Sequence, residues 1–256
     1  GLVEGAVVLI GGEPGIGKST LLTQMVLALL GQQGRKKKKK NKNKKPQLRS
    51  VLYVSGEESP SQINLRIKRI IDNEQFVADY GFGLSSDQVS GVIGEQLQFF
   101  TSTDVDQLTA TIRQKKPDLV IVDSIQSLTT QDLTGASGSV GQVRESTDRI
   151  ISTVKPLAIP TFLVGHVTKE GVIAGPKVLE HMVDAVLELS GERTGQFRMI
   201  RALKNRFGAT DEVGVFKLVD YGLQEVTNPS ELFIDSSDLA VPGSAVVCTM
   251  EGTRPL

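Results

Sequence analysis

The chain has 256 residues, 39% of them apolar, no Trp and a lone Cys248, enough for one sizeable core but for neither a disulfide framework nor a cysteine zinc site within the chain. No run of roughly 18 apolar residues is present, and the opening residues show no basic segment followed by an apolar one, so neither a membrane span nor a signal peptide is read and a reducing compartment is the default. The formal charge of zero, 29 basic against 29 acidic residues, hides an asymmetry: RKKKKKNKNKK at 35–45 holds nine of the basic residues, and the rest of the chain carries about −9.

Nucleic-acid binding, if the chain has it, must therefore come from local basic loops. Two readings fit the lysine run itself. It can contact phosphates electrostatically, or it is a solvated low-complexity insertion in a surface loop, because like charges repel and nothing apolar is there to fold it.

In chain order, AVVLI (6–10) reads as a buried strand, and STLLTQMVLALL (19–30) as a helix with Leu22, Met25, Val26 and Leu29 on one face. SVLYVSGEE gives a second strand. SPSQINLRIKRII gives a helix in which Ser59 suits the N-cap, Pro60 the first helical position and Gln62 a capping box. Residues 79–95, rich in Gly, Ser and Asp, read as a loop, followed by a short strand near LQFFTS, a helix over DVDQLTATIRQ and a third clear strand, DLVIVD (118–123). LTTQDLTGASGSVGQ reads as a loop too polar and glycine-rich to pack. A helix over 142–157, a strand at TFLVG (161–165) and a second loop, HVTKEGVIAGPK, come next. From about 185, AVLELS, FRMIRALKN and VGVFKLV read as antiparallel strands completing the sheet. Alternating strands and helices predict an α/β fold, a mostly parallel central sheet flanked by helices with antiparallel strands on its C-terminal side.

Gly12 to Ser19 match G-x-x-x-x-G-K-[ST] at every fixed position, between a strand and a helix. In such a loop, backbone amides wrap phosphates, the lysine reaches the β and γ phosphates and the hydroxyl ligates Mg²⁺. The nucleotide-binding stretch is thus Gly12, Glu13, Pro14, Gly15, Ile16, Gly17, Lys18, Ser19 and Thr20, with ATP and Mg²⁺ as the expected cofactors. Asp123, ending a strand, is the expected second metal-holding group, at the sheet edge where open α/β sheets bind ligands. Hydrolysis also needs a group that orients or deprotonates water. VSGEE supplies Glu57 and Glu58, of which Glu57 is favoured, against the alternative of a salt-bridged or solvated acid. His166 at another strand end either hydrogen-bonds the γ-phosphate and moves the loop behind it or is structural. Lys204 and Arg206 in LKNRFG either act as fingers into a neighbouring subunit's nucleotide or are ordinary surface charge.

GGEPGIGKSTLL, YVSGEES, DLVIVDSIQ, GSVGQVRE, GHVTKEGVIAGPKVLEHMVD and RALKNRFG together resemble the bacterial and organellar RadA (Sms) family, RecA-related ATPases of recombinational repair. KNRFG is the most specific of these stretches. The resemblance implies a RecA-like P-loop ATPase with Lys18 and Glu57 as catalytic groups and Ser19 and Asp123 on the metal. It also puts His166 at a sensor position and Lys204 and Arg206 in the pair coupling nucleotide to DNA across a subunit boundary. Loops around 129–141 and 167–177 correspond to the DNA-facing loops, with Lys169 and Lys177 as phosphate contacts.

The family implies a homo-hexamer that moves on single-stranded DNA and promotes branch migration of recombination intermediates together with a RecA-type recombinase, without a membrane. The compartment is the cytoplasm for a bacterial member, or a plastid or mitochondrion for a eukaryotic one. Residues 1–226 correspond to the ATPase domain. Residues 227–256 correspond to a linker and the opening of a Lon-protease-like domain, and the family's four-cysteine finger has no counterpart here, so an excised or truncated core is expected. Three other readings are a nucleotide-dependent ring or filament module without motor activity, a strand-exchange recombinase, against which KNRFG and His166 argue, and a protein kinase of the same fold, for which no phosphoacceptor site is seen.

Overall fold

A computed structural model describes residues 2–36, 50–80, 91, 94–166, 176–191, 195–227, 250–251 and 254–255. Its elements are β1 (Val7–Gly12), α1 (Lys18–Lys36), β2 (Val51–Ser55), α2 (Pro60–Ile71), α3 (Glu74–Tyr80), β3 (Leu97–Phe100), α4 (Val105–Lys115), β4 (Leu119–Asp123), α5 (Val140–Val154), β5 (Thr161–His166), α6 (Pro176–Leu179), β6 (Ala185–Ser190), β7 (Phe197–Asn205), β8 (Val213–Val219) and β9 (Gly222–Glu225). A two-stranded piece, Met250–Glu251 with Arg254–Pro255, stands apart from the main sheet. Most of the lysine run and most of 227–256 lie outside the described residues.

The main sheet has nine strands in the order β3-β2-β4-β5-β1-β6-β7-β8-β9. Strands β3 through β6 in that order are parallel, and β7, β8 and β9 continue it antiparallel. The central strands are buried along their whole length because both faces are covered: VLYVS of β2 and LVIVD of β4 have no exposed position.

Alternation then sorts their side chains into two layers. Ile10, Val51, Tyr53, Leu119, Ile121 and Val164 pack with Leu22 and Val26 of α1 and Ile63, Ile67 and Ile70 of α2. Val7, Leu9, Leu52, Val54, Val120 and Val122 pack on the other face with Leu108 and Ile112 of α4 and Val143, Ile150 and Val154 of α5. Each such fully buried aliphatic side chain stabilises the fold by about 1.5–3 kcal/mol relative to exposure.

Local signals explain the element ends. Both halves of the capping box at Ser59 and Gln62 form, with Pro60 opening α2. Asp104 caps α4 by accepting from the amides of Asp106 and Gln107.

Three local readings need correction. Residues 74–80 form α3 because Asn73 Oδ1 accepts from Phe76 N and the Phe76 ring is wholly buried, a gain that polar composition alone does not show. The 129–141 loop is packed down rather than loose: the buried Gln142 amide accepts from Thr130 N and donates to Thr130 O and Leu133 O, while Arg149 binds Asp132. α5 accordingly starts two residues earlier than its predicted boundary. Finally, β9 exists because Gln24 of α1 pairs with both Leu223 N and Leu223 O, replacing the ladder partner a sheet edge lacks.

Candidate nucleotide site

Strand order decides which loops meet. The carboxyl ends of β2, β4, β5 and β1 are contiguous in the sheet, and from them emerge Glu57, Asp123, His166 and the glycine loop. Registers align Ser55 with Asp123 and Gly12 with His166, and because Val122 is level with Leu163, β1 and β5 run two residues beyond the ends of β2 and β4.

The loop between β1 and α1 needs glycine for two different reasons. At Gly12 a Cβ would stand 2.4 Å from Leu189 O, and Gly17 sits at φ +113°, which side chains rarely adopt. Lys18 is buried at 4% exposure and donates to Gly12 O and Glu13 O, both at 2.9 Å. Burial lowers its ammonium from 10.5 to about 8, with the Asp123 and Glu57 carboxylates opposing the fall. A cation already desolvated at a helix N-terminus, held only by two loop carbonyls, is arranged to exchange them for an anion.

Asp123 is buried and accepts a 2.7 Å hydrogen bond at Oδ2 from the Tyr53 hydroxyl. Ser124, wholly buried, donates to Glu57 Oε1, and His166 Nε2 lies 3.3 Å from the same oxygen. Among the described residues neither buried His166 nitrogen makes a hydrogen bond, and the nearest polar group to the imidazole is the Glu57 carboxylate. Glu58 is taken up by Arg66, which pairs with both of its carboxylate oxygens, whereas Glu57 is about half exposed. Of the two neighbouring acids, Glu57 is the more exposed and the one not paired with Arg66.

Among the described residues no cluster of three or more His, Cys, Asp or Glu forms a metal cage. Mg²⁺ that accompanies a nucleotide is held by one or two protein oxygens plus phosphates and water. A Ser19 hydroxyl at the start of α1 and the Asp123 carboxylate supply hard oxygen donors of that kind.

Lys204 and Arg206 are not part of this edge. Because β6 runs parallel to β1 and β7 returns antiparallel, Asn205 is level with Ala185 and Val8, at the opposite end of the sheet from Gly12. Four residues of strand separate those levels, on the order of 13 Å along the strand direction alone. Lys204 donates to Glu180 O and Val183 O, at 2.5 and 2.9 Å. Arg206 pairs at 3.0 Å with Asp184, which also accepts from Val7 N and Lys155. Burial would raise the Asp184 carboxyl, but the Val7 amide and the Lys155 and Arg206 charges outweigh it and hold it below the usual carboxylate value. Lys169 lies outside the described residues, and Lys177 falls in the short α6, with only its backbone described.

Tyr53 and Ser124 are the side chains that sequence reasoning missed. Ser124 was available as the residue after a strand-ending Asp. Tyr53 had only a weak signal, since nothing in the sequence says that β2 and β4 are neighbours.

A family model described as "AAA domain" matches residues 1–172. The chain is 44% identical over 256 residues to the DNA repair protein RadA of Bacillus subtilis (strain 168), covering all of this chain and 48% of that protein. It is 44% identical to RadA of Pseudomonas aeruginosa PAO1 and 45% to that of Streptococcus pyogenes serotype M6, covering 49% of each. The chain thus spans about half the length of the curated relatives it matches. Among solved structures, the RadB recombinase superposes with a TM-score of 0.58 at 18% identity, covering 88% of this chain and 93% of that one. A KaiC-like protein from Pyrococcus horikoshii OT3 gives 0.58 at 16%, covering 88% and 91%. At these identities the two structures speak for the fold alone.

Proposed function

Since this chain belongs to the AAA domain family and is a RecA-like ATPase core of the RadA type, we propose that it is the DNA-stimulated ATPase motor of a recombinational repair protein, moving on single-stranded DNA and promoting branch migration. The observation that carries the reading is the meeting of the glycine loop, Lys18, Asp123, Glu57 and His166 at one sheet edge, with the KNRFG stretch at the other.

Bound at Gly12–Thr20, the triphosphate receives loop amides and the Lys18 ammonium, which leaves its carbonyl partners for phosphate oxygens. Mg²⁺ would be held by Ser19 and, through water, by Asp123, and would supply charge neutralisation on the phosphates. Glu57, its carboxylate fixed by Ser124, orients and deprotonates the attacking water. His166 reads the γ-phosphate and passes its position to the 167–175 segment that follows it directly. Lys169, in that segment, and Lys177, just after it in α6, contact DNA phosphates. Lys204 and Arg206, remote from their own chain's nucleotide, serve the site of a neighbouring copy in a homo-hexamer, and Asp184 holds Arg206 for that role. In this reading residues 1–226 form the motor, and 227–256 lead into a Lon-like domain.

The test is steady-state ATP hydrolysis with and without single-stranded DNA at two salt concentrations, with Lys18→Ala as the blank. Stimulation that weakens with salt is the expected result, since the DNA contacts are phosphate contacts. Turnover indifferent to DNA would replace the motor with a nucleotide-driven assembly module. A wild-type rate in Lys18→Ala would remove the glycine loop from the chemistry.

A further inference from the structure

Among the described residues the hydrogen bond that holds the Asp123 carboxylate comes from a phenol on the next strand. Tyr53 lies on β2 two positions before Ser55, the residue in register with Asp123, so the two side chains share a face and meet diagonally. The Tyr53 hydroxyl donates to Oδ2 at 2.7 Å, while Oδ1 takes no hydrogen bond among the described residues. The ring is fixed independently: it is 1% exposed, sits in the layer with Ile63 and Ile67, and lies at 6.2 Å from Phe99 in a tilted contact.

We propose that Tyr53 is a positioning residue for the metal, pinning Oδ2 of Asp123 so that Oδ1 is presented to the water shell of the Mg²⁺ that accompanies the nucleotide. The proposal rests on the assignment of Asp123 made above. A rigid phenol on a packed ring sets both the rotamer of the carboxylate and which of its oxygens stays available, and partners of this kind typically change metal affinity by about 10–100-fold when removed. The bland account is that a buried phenol simply needs an acceptor. It differs in predicting a loss of stability and no effect on metal.

The experiment is equilibrium binding, not turnover. A fluorescent ATP analogue is titrated on the full chain over a range of Mg²⁺ concentrations and again in chelator, for wild type, Tyr53→Phe, Asp123→Asn and the double variant, with thermal melts in parallel. Tyr53→Phe keeps the ring and its packing. The expected result is a rise of about tenfold in the Mg²⁺ concentration at half effect, unchanged binding in chelator, and no further rise when Tyr53→Phe is added to Asp123→Asn.

Unchanged Mg²⁺ dependence in Tyr53→Phe, with Asp123→Asn shifted, overturns the proposal and leaves the Asp123 assignment standing. Equal, additive shifts in both backgrounds overturn it too, because Tyr53 would then act through the fold. No shift in Asp123→Asn overturns the assignment and the proposal with it.

Discussion

Lys18 carries a testable signature of its burial. Its ammonium titrates at about 8 in the folded chain and at 10.5 when unfolded, so between those values the unfolded chain binds the proton that the folded chain has lost. Stability therefore rises with pH across that window, and the cost of the buried charge is felt in full below about 8. Nucleotide affinity moves the other way, because the triphosphate favours the charged form. Affinity is expected to hold steady up to about pH 8 and then to fall by up to about tenfold per pH unit, measured by equilibrium titration of a fluorescent ATP analogue. A flat profile from pH 7 to 9.5 would show that Lys18 keeps its ordinary value. The proposal of Lys18 as the phosphate-facing cation could be made from sequence because its motif is contiguous in the chain. The choice of Glu57 over Glu58 had no such local basis; in the structure it comes from Arg66, eight residues along, which occupies Glu58.

At the scale of elements, the 129–141 segment shows where composition misleads. Its serines and glycines suggested a loop with nothing to pack, yet one buried amide, Gln142, satisfies three backbone groups of that segment at 2.8 to 3.1 Å. Replacing it leaves Thr130 N, Thr130 O and Leu133 O without that partner. Gln142→Leu is expected to cost about 1–3 kcal/mol in denaturant unfolding and to open 131–138 to proteolysis while nucleotide binding is kept. Equal stability and equal protection would mean that the loop is held by its other bonds, Arg149 with Asp132, Thr130 with Asp106 and Ser137 with Gln126. The same limit applies to α1 and β9: their joint, Gln24 with Leu223, spans 199 residues of sequence, and no periodicity in either segment announces it.

On the proposed assignment the molecule as a whole has two working edges. The strand order puts the glycine loop, Asp123 and Glu57 at one end of the sheet and Lys204 and Arg206 at the other, apart within a single copy. In the proposed assembly the two edges of adjacent copies meet. Arg206→Ala and Lys18→Ala should each be inactive alone, yet mixed and reassembled they should recover part of the wild-type ATP turnover, because one junction type pairs an intact glycine loop with an intact Arg206. Turnover in the mixture no higher than the sum of the two variants would place Arg206 outside any partner's site.

What could be read along the chain was whatever depends on neighbours in sequence: the strand and helix periods, the cap at Ser59, the glycine loop with Lys18 and Ser19, and the alternation that makes an α/β sheet. What could not be read was adjacency in space. That β2 lies beside β4 and β4 beside β5 is set by how the two apolar faces of the sheet are covered, and a sum of burial over many side chains leaves no mark on any one of them. From that order alone follow the bond from Tyr53 to Asp123, the approach of His166 to Glu57 and the removal of Arg206 to the far edge, because hydrogen bonds and charges act over a few ångströms of space, however many residues lie between them.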